Sequence, residues 1–143
     1  MKVVKLMETI QSSEVRKHWG KTFDEAFYKG PAVIEKNNRV NLLIAAPHMK
    51  SLLSREFPIQ YSMEKSEGVY MANMTGIPDI FGYGDTEKEA LGDLFNHLKV
   101  LIDEMLEDFD RFSSERPRDA FYLLQLVEID EQAEEQVAVT LNG

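Results

Sequence analysis

The chain has 143 residues, no cysteine and a formal net charge of −9. That length suits one domain or two very small ones, bulk acidity argues against a protein that coats nucleic acid or an anionic membrane, and the lack of cysteine excludes a disulfide scaffold, a thiol nucleophile and a thiolate metal site. No apolar run approaches the ~18 residues of a membrane span, and the N-terminus lacks the short apolar core and small-residue cleavage site of a signal peptide. A cytoplasmic location is therefore expected. With 43% apolar residues, the chain can build a core.

The net charge hides a split. Residues 1–56 carry ten Lys/Arg and six Asp/Glu, a net +4; residues 57–143 carry six and nineteen, a net −13. Such asymmetry points to different partners for the two parts. A basic part suits a polyanion, and an acidic part suits a basic partner or simple solvation.

In chain order, residues 3–10 read as a short β-branched strand, and Ser12 as a helix N-cap with Glu14 in the first turn. Apolar residues at Val15, Trp19, Phe23, Ala26 and Phe27 then mark one helix face, with Lys17, Lys21 and Tyr28 opposite and Arg16 on the flank. Gly30-Pro31 ends the helix. Residues 32–36 and 40–45 form a hairpin around Asn37-Asn38-Arg39, since asparagine tolerates the positive φ of such a turn. A short helix runs from Pro47 to about Arg55.

The expected boundary lies at Glu56-Phe57-Pro58, where the charge balance changes. Strands follow over 57–64 and 69–75 around a turn at 66–68; residues 76–79 read as a loop and 80–84 as a third strand. Thr86 and Glu89 have capping-box spacing. They open a long amphipathic helix whose apolar face runs from Leu91 to Phe109. Gly92 weakens it by about 1 kcal/mol relative to Ala, and Val100 stands on its polar side. Residues 113–118 read as a polar break, 120–129 as a buried strand, and 137–141 as an edge strand or unstructured tail.

Catalytic motifs are missing. His18, His48 and His97 lie far apart, with no partner at ligand spacing, and there is no nucleophile elbow, P-loop or dinucleotide fingerprint. Asp79 and Asp85 flank the glycine-rich IFGYG segment. A turn aspartate and a helix-leading aspartate explain both more simply than a metal or acid/base site. The chain is expected to be no enzyme and to need no cofactor or metal.

Residues 1–55 resemble the N-terminal domain of Phd/YefM-type antitoxins. The likeness is carried by the opening strand, SSEVRKHWGKTFDEAFYKG, PAVIEKNNRVNLLIAA and the HMKSLL helix. It implies a β-α-β-β-α dimerisation domain that binds operator DNA through Arg16 and Lys36, with Lys17, Asn38 and Arg39 as further candidates by proximity. The family usually has a small or polar residue at Glu35, and this carboxylate beside Lys36 is expected to weaken phosphate attraction locally. Residues 57–129 are similar to HicB-like antitoxin domains through Pro78, Asp79, Gly82, Gly84, Asp85, Thr86, Glu89 and Ala90. That likeness implies a β-β-β-α-β arrangement serving toxin binding, and a folded acidic domain where Phd/YefM antitoxins usually carry a disordered tail.

Together these imply an α+β protein of two parts, divided into 1–56 and 57–143. It would be an antitoxin that represses its own operon through residues 1–56 and neutralises a small basic, RNA-cleaving toxin through residues 57–143. The alternative is a non-catalytic interaction or scaffold protein that keeps the fold without DNA binding. A homodimer is expected, because a 55-residue unit buries too little surface alone and Trp19, Phe23 and Phe27 need a shared core or interface.

Overall fold

A computed structural model describes residues 6–126. The expected strand over 3–10 is represented there only by its end, and the tail from Asp130, with its possible strand over 137–141, lies outside the described residues. The architecture is mixed α+β: two three-stranded sheets and six helices among the described residues. Contacts divide the chain into two compact units between Met49 and Lys50. No described helix is long and apolar enough to cross a membrane.

The first unit opens with β1 (Ile10–Gln11), which pairs in parallel with β2 (Ala32–Lys36), Ile10 opposite Ile34. Gln11 stays in this ladder, so the turn into helix follows it directly. Gln11 rather than Ser12 is the N-cap, and it makes no side-chain capping bond. The single helix expected from Val15 onward is two, α1 (Ser12–Lys17) and α2 (Trp19–Tyr28). They are separated by His18 at φ −129°, ψ 44°. No glycine or proline stands at the break, which is why composition did not mark it.

The inward face of α2 is the one that carries its small residues. Thr22 and Ala26 are buried, while Trp19, Phe23 and Phe27 are not. Small residues therefore face the unit's interior, where Val15 and Ala32 are also buried. β2 pairs antiparallel with β3 (Arg39–Leu43), from Ala32 opposite Leu43 to Lys36 opposite Arg39. Asn37 and Asn38 both take positive φ, 50° and 63°, as a two-residue hairpin turn requires. The unit's last helix, α3 (Ala46–Leu53), contains the division between the two units.

The second unit is an antiparallel sheet in the order β4 (Tyr61–Ser66), β5 (Val69–Met74), β6 (Ile77–Gly84). β6 begins at Ile77, so most of the expected loop over 76–79 is strand. The long helix α4 (Glu87–Glu107) packs on β5 and β6. Its cap forms as the spacing predicts: Thr86 Oγ1 accepts from the Glu89 N–H at 3.1 Å. The return bond goes to Asp85, whose N–H donates to Glu89 Oε2 at 2.9 Å. Leu91, Leu94, Phe95, Leu98, Leu101 and Met105 of α4 form a continuous core with Ala72, Met74 and Ile77 of the sheet.

Beyond α4, most of the expected polar break belongs to helices α5 (Phe109–Glu115) and α6 (Pro117–Leu123), and α6 takes the first four residues of the strand expected over 120–129, whose last three lie outside the described residues. The order is thus β-β-β-α-α-α among the described residues, not β-β-β-α-β. Two features favour helix: Pro117 sits at a helix start, where its missing N–H costs nothing, and Asp119 lies in the first turn. Ala120, Tyr122 and Leu123 are buried as a core strand would be, so a short apolar run alone could not distinguish the two. Phe57 stacks on Phe121 at 4.6 Å between ring centroids, and Gln125 Nε2 donates to the Phe57 carbonyl at 2.8 Å, closing the unit's two ends together.

Tyr61 packs edge-to-face on Phe95, with ring centroids 5.6 Å apart. Burial pushes its hydroxyl up from 10.0 to about 12. The folded state therefore holds this proton more tightly than the unfolded chain. The associated stability is full below pH 10 and is lost as pH rises toward 12, by at most roughly 2–3 kcal/mol. Thermal unfolding scans across this window are expected to show a fall in Tm that Tyr61→Phe reduces.

Candidate functional site

The candidate basic site lies in the first unit. Lys36 and Arg39 face each other directly across the hairpin, flanking Asn37 and Asn38, and all four are exposed. Like charges in a directly opposed cross-strand pair destabilise a hairpin. Neither cation has an ion-pair partner within 4 Å among the described residues. The tip therefore concentrates positive charge at a local energetic cost.

Glu35 does not sit beside Lys36 in the sense its sequence position suggests. Successive strand residues point to opposite faces. Lys36 is exposed, whereas Glu35 is buried and accepts a hydrogen bond from Thr9 Oγ1 at 3.2 Å.

Arg16 and Lys17 are exposed on α1, which packs on β1 and β2. They occupy its last turn rather than its start. The helix dipole stabilises cations at this end. Lys17 Nζ lies 3.8 Å from Glu14 Oε1 in an exposed pair, an arrangement of little energetic weight. Arg16 has no ion-pair partner within 4 Å among the described residues. The hairpin thus brings Lys36, Asn38 and Arg39 together, while Arg16 and Lys17 stand on a separate element.

Trp19, Phe23 and Phe27 are 55%, 52% and 44% exposed. Spacing of four residues places them in a row along α2, and the Trp19 and Phe23 rings lie 5.9 Å apart. Phe27 continues the row onto Tyr28 and His48, at 5.0 and 6.4 Å. Within this unit they are surface, not core.

In the second unit the glycine-rich segment is strand, and its glycines serve packing. A Cβ on Gly82 would come within 2.2 Å of the Ala90 carbonyl oxygen and the Leu94 nitrogen of α4. One on Gly84 would come within 2.6 Å of the Ala90 nitrogen. Asp79 and Asp85 stand six residues apart along and just beyond β6, about 20 Å at ~3.3 Å per residue, too far to share a metal or a proton. Asp79 instead lies 3.7 Å from Arg116 Nη2, and Arg116 also pairs with Asp119 at 2.6 Å. Among the described residues no group of three or more His, Asp or Glu is placed to hold a metal.

His97 and Asp93 have a structural task that sequence reading missed. The Tyr83 N–H donates to Asp93 Oδ2 at 2.9 Å, and His97 Nδ1 lies 2.6 Å from the Phe81 carbonyl. Two side chains of α4 thereby take up backbone groups along the outer edge of β6, one way of closing a sheet edge. Their i, i+4 spacing on one helix face was the available signal.

With this geometry in hand, the comparisons are direct. Residues 6–141 match the model of the PHD-like family, described as "Antitoxin of toxin-antitoxin, RelE / RelB, TA system". The chain belongs to this antitoxin family. It is similar in fold to a crystal structure from Syntrophomonas wolfei subsp. wolfei, described as an antitoxin part of a proposed toxin/antitoxin system. That likeness has a TM-score of 0.61 and 22% identity, and covers 93% of this chain and 95% of that one. Comparison with curated proteins gives no match.

The contact between α4 and β6 is tested by two substitutions of opposite expected sign. Gly82→Ala forces backbone apart and is expected to destabilise by about 2–3 kcal/mol. Gly92→Ala, on the same helix with nothing within 4 Å of the added carbon, is expected to stabilise by about 1 kcal/mol. Denaturant titration measures both.

Proposed function

We propose that the chain is a cytoplasmic antitoxin whose basic first part, residues 1–56, dimerises and binds operator DNA, and whose acidic part, residues 57–143, binds and neutralises a basic, RNA-cleaving toxin. The observation that carries the DNA reading is the Lys36/Arg39 pair at the hairpin tip, two cations held opposite each other with no ion-pair partner within 4 Å among the described residues. An anionic ligand would relieve that repulsion. Phosphates are the natural ligand, with Asn38 available to a base edge or a sugar, and Arg16 and Lys17 as further contacts.

The exposed row Trp19, Phe23 and Phe27 supports the homodimer. Contiguous aromatic surface on a small unit marks an interface, and a two-fold arrangement would bury the row against its own copy. The β-α-β-β-α character of the first unit, with its helix broken at His18, supports a Phd/YefM-like ancestry for it. The β4-β5-β6-α4 order and the Gly82/Gly84 contact support a HicB-like one for the second.

Two measurements test this reading. In gel-shift titrations with DNA from upstream of its own gene, the protein is expected to bind with steep salt dependence. Arg16→Ala and Lys36→Ala should each lower the slope of log K against log salt by about 0.9. Unchanged binding in both variants rejects these contacts, and no binding by wild type at low salt rejects DNA recognition. In sedimentation velocity, the wild-type chain is expected to be a dimer and the Trp19→Ser/Phe23→Ser variant a folded monomer. A wild-type monomer at tens of micromolar would reject the interface.

A further inference from the structure

The last turn of α4 carries charge of the unfavourable sign. It contains Glu104 and Glu107 and no basic residue. The carbonyls at a helix C-terminus leave a partial negative charge that repels carboxylates. Asp103 stands beside them, all three are exposed, and none has an ion-pair partner within 4 Å among the described residues. Of the nearby cations, Arg111 pairs with Glu115 at 3.3 Å and Arg116 with Asp119 and Asp79, while exposed Lys99, beside Val100, makes no ion pair within 4 Å among the described residues.

At the N-terminal edge of this charge stands an apolar side chain. Val100 is 59% exposed, and Asp103, Glu104 and Glu107 follow it at i+3, i+4 and i+7, the positions that share its helix face. The two glutamates then line a groove of about 660 Å³ with Asp108, Arg111, Phe112, Glu115 and Arg116, four carboxylates against two cations. An exposed valine followed along its face by three carboxylates, two of them at a helix end that disfavours them, is a local cost with no return inside the unit.

We propose that this face, from Val100 through Glu104 and Glu107 into the groove beside α5, docks a cationic segment of the toxin. An apolar residue of that segment would seat on Val100, and Lys or Arg side chains would meet Asp103, Glu104 and Glu107. The inference rests on the antitoxin reading above and assigns it a surface. Charge decides among the possible occupants. The chain's own residues 127–143 contain five carboxylates and no Lys or Arg, so they are repelled. A second copy related by a two-fold axis would bring the same acidic face against itself, and DNA is repelled outright.

The test co-expresses the full chain with the protein encoded by the adjacent reading frame and measures Kd by calorimetry at about 50 and about 300 mM salt. Wild type is expected to bind, more weakly at high salt. Val100→Asp and Glu104→Lys/Glu107→Lys should each weaken binding at least roughly tenfold, whereas Glu64→Lys on the exposed side of β4 should leave it within about twofold. The double charge reversal places cations where the helix dipole favours them, so its Tm should equal or exceed that of wild type, which separates lost contact from lost fold. If its Tm falls, Val100→Asp alone decides. Wild-type binding with both variants within twofold overturns this surface and leaves the antitoxin reading intact. No wild-type binding at either salt overturns both.

Discussion

The close approach of α4 to β6 at Gly82 and Gly84 sets the geometry of the acidic unit. With no Cβ on the strand at these two points, the helix backbone comes close enough for Ala90, Leu94 and Leu98 to seal the sheet's inner face. Asp93 and His97 of the same helix then reach the strand's outer edge. Thr86 fixes where the helix starts, so the phase of the next five turns is set. That phase puts Met105 in the core and Glu104 and Glu107 in solvent. The charged end of the helix is a consequence of where its beginning is pinned.

Charge follows the same logic in both units. Each has sites where like charge is held against local stability: Lys36 opposite Arg39 in one, Glu104 and Glu107 at a helix C-terminus in the other. Other exposed charges do what surface charges usually do, as with Lys29 and Glu25 at 3.8 Å or Arg111 and Glu115. The averaged net charge of −9 conceals this arrangement. Basic and acidic surfaces belong to separate compact units.

Much of the fold was legible because its signals are local. The paired asparagines announced the first hairpin, Glu67-Gly68 the second, and the Thr86/Glu89 spacing the start of α4. Errors arose where the deciding interaction is tertiary. The helix break at His18 has no glycine or proline to announce it, and only the folded unit shows that Trp19, Phe23 and Phe27 are exposed within it while Thr22 and Ala26 face inward. Residues 120–123 are apolar enough for a buried strand, and in sequence that outweighs the helix-start signals of Pro117 and Asp119. For the candidate basic site, sequence supplied residue identities but not that Arg16 ends a separate short helix. It could not show that Glu35 turns inward, because strand alternation has a face only once the sheet exists. Val100 was visible as an oddity on a polar face, but its meaning required the exposed carboxylates around it.

The most direct test of an antitoxin is growth. Induced alone, the protein encoded by the adjacent reading frame should arrest growth of the host, and co-induction of this chain should restore it. An arrest that full-length chain at equal or higher level does not relieve would contradict a role for this protein in neutralising that toxin.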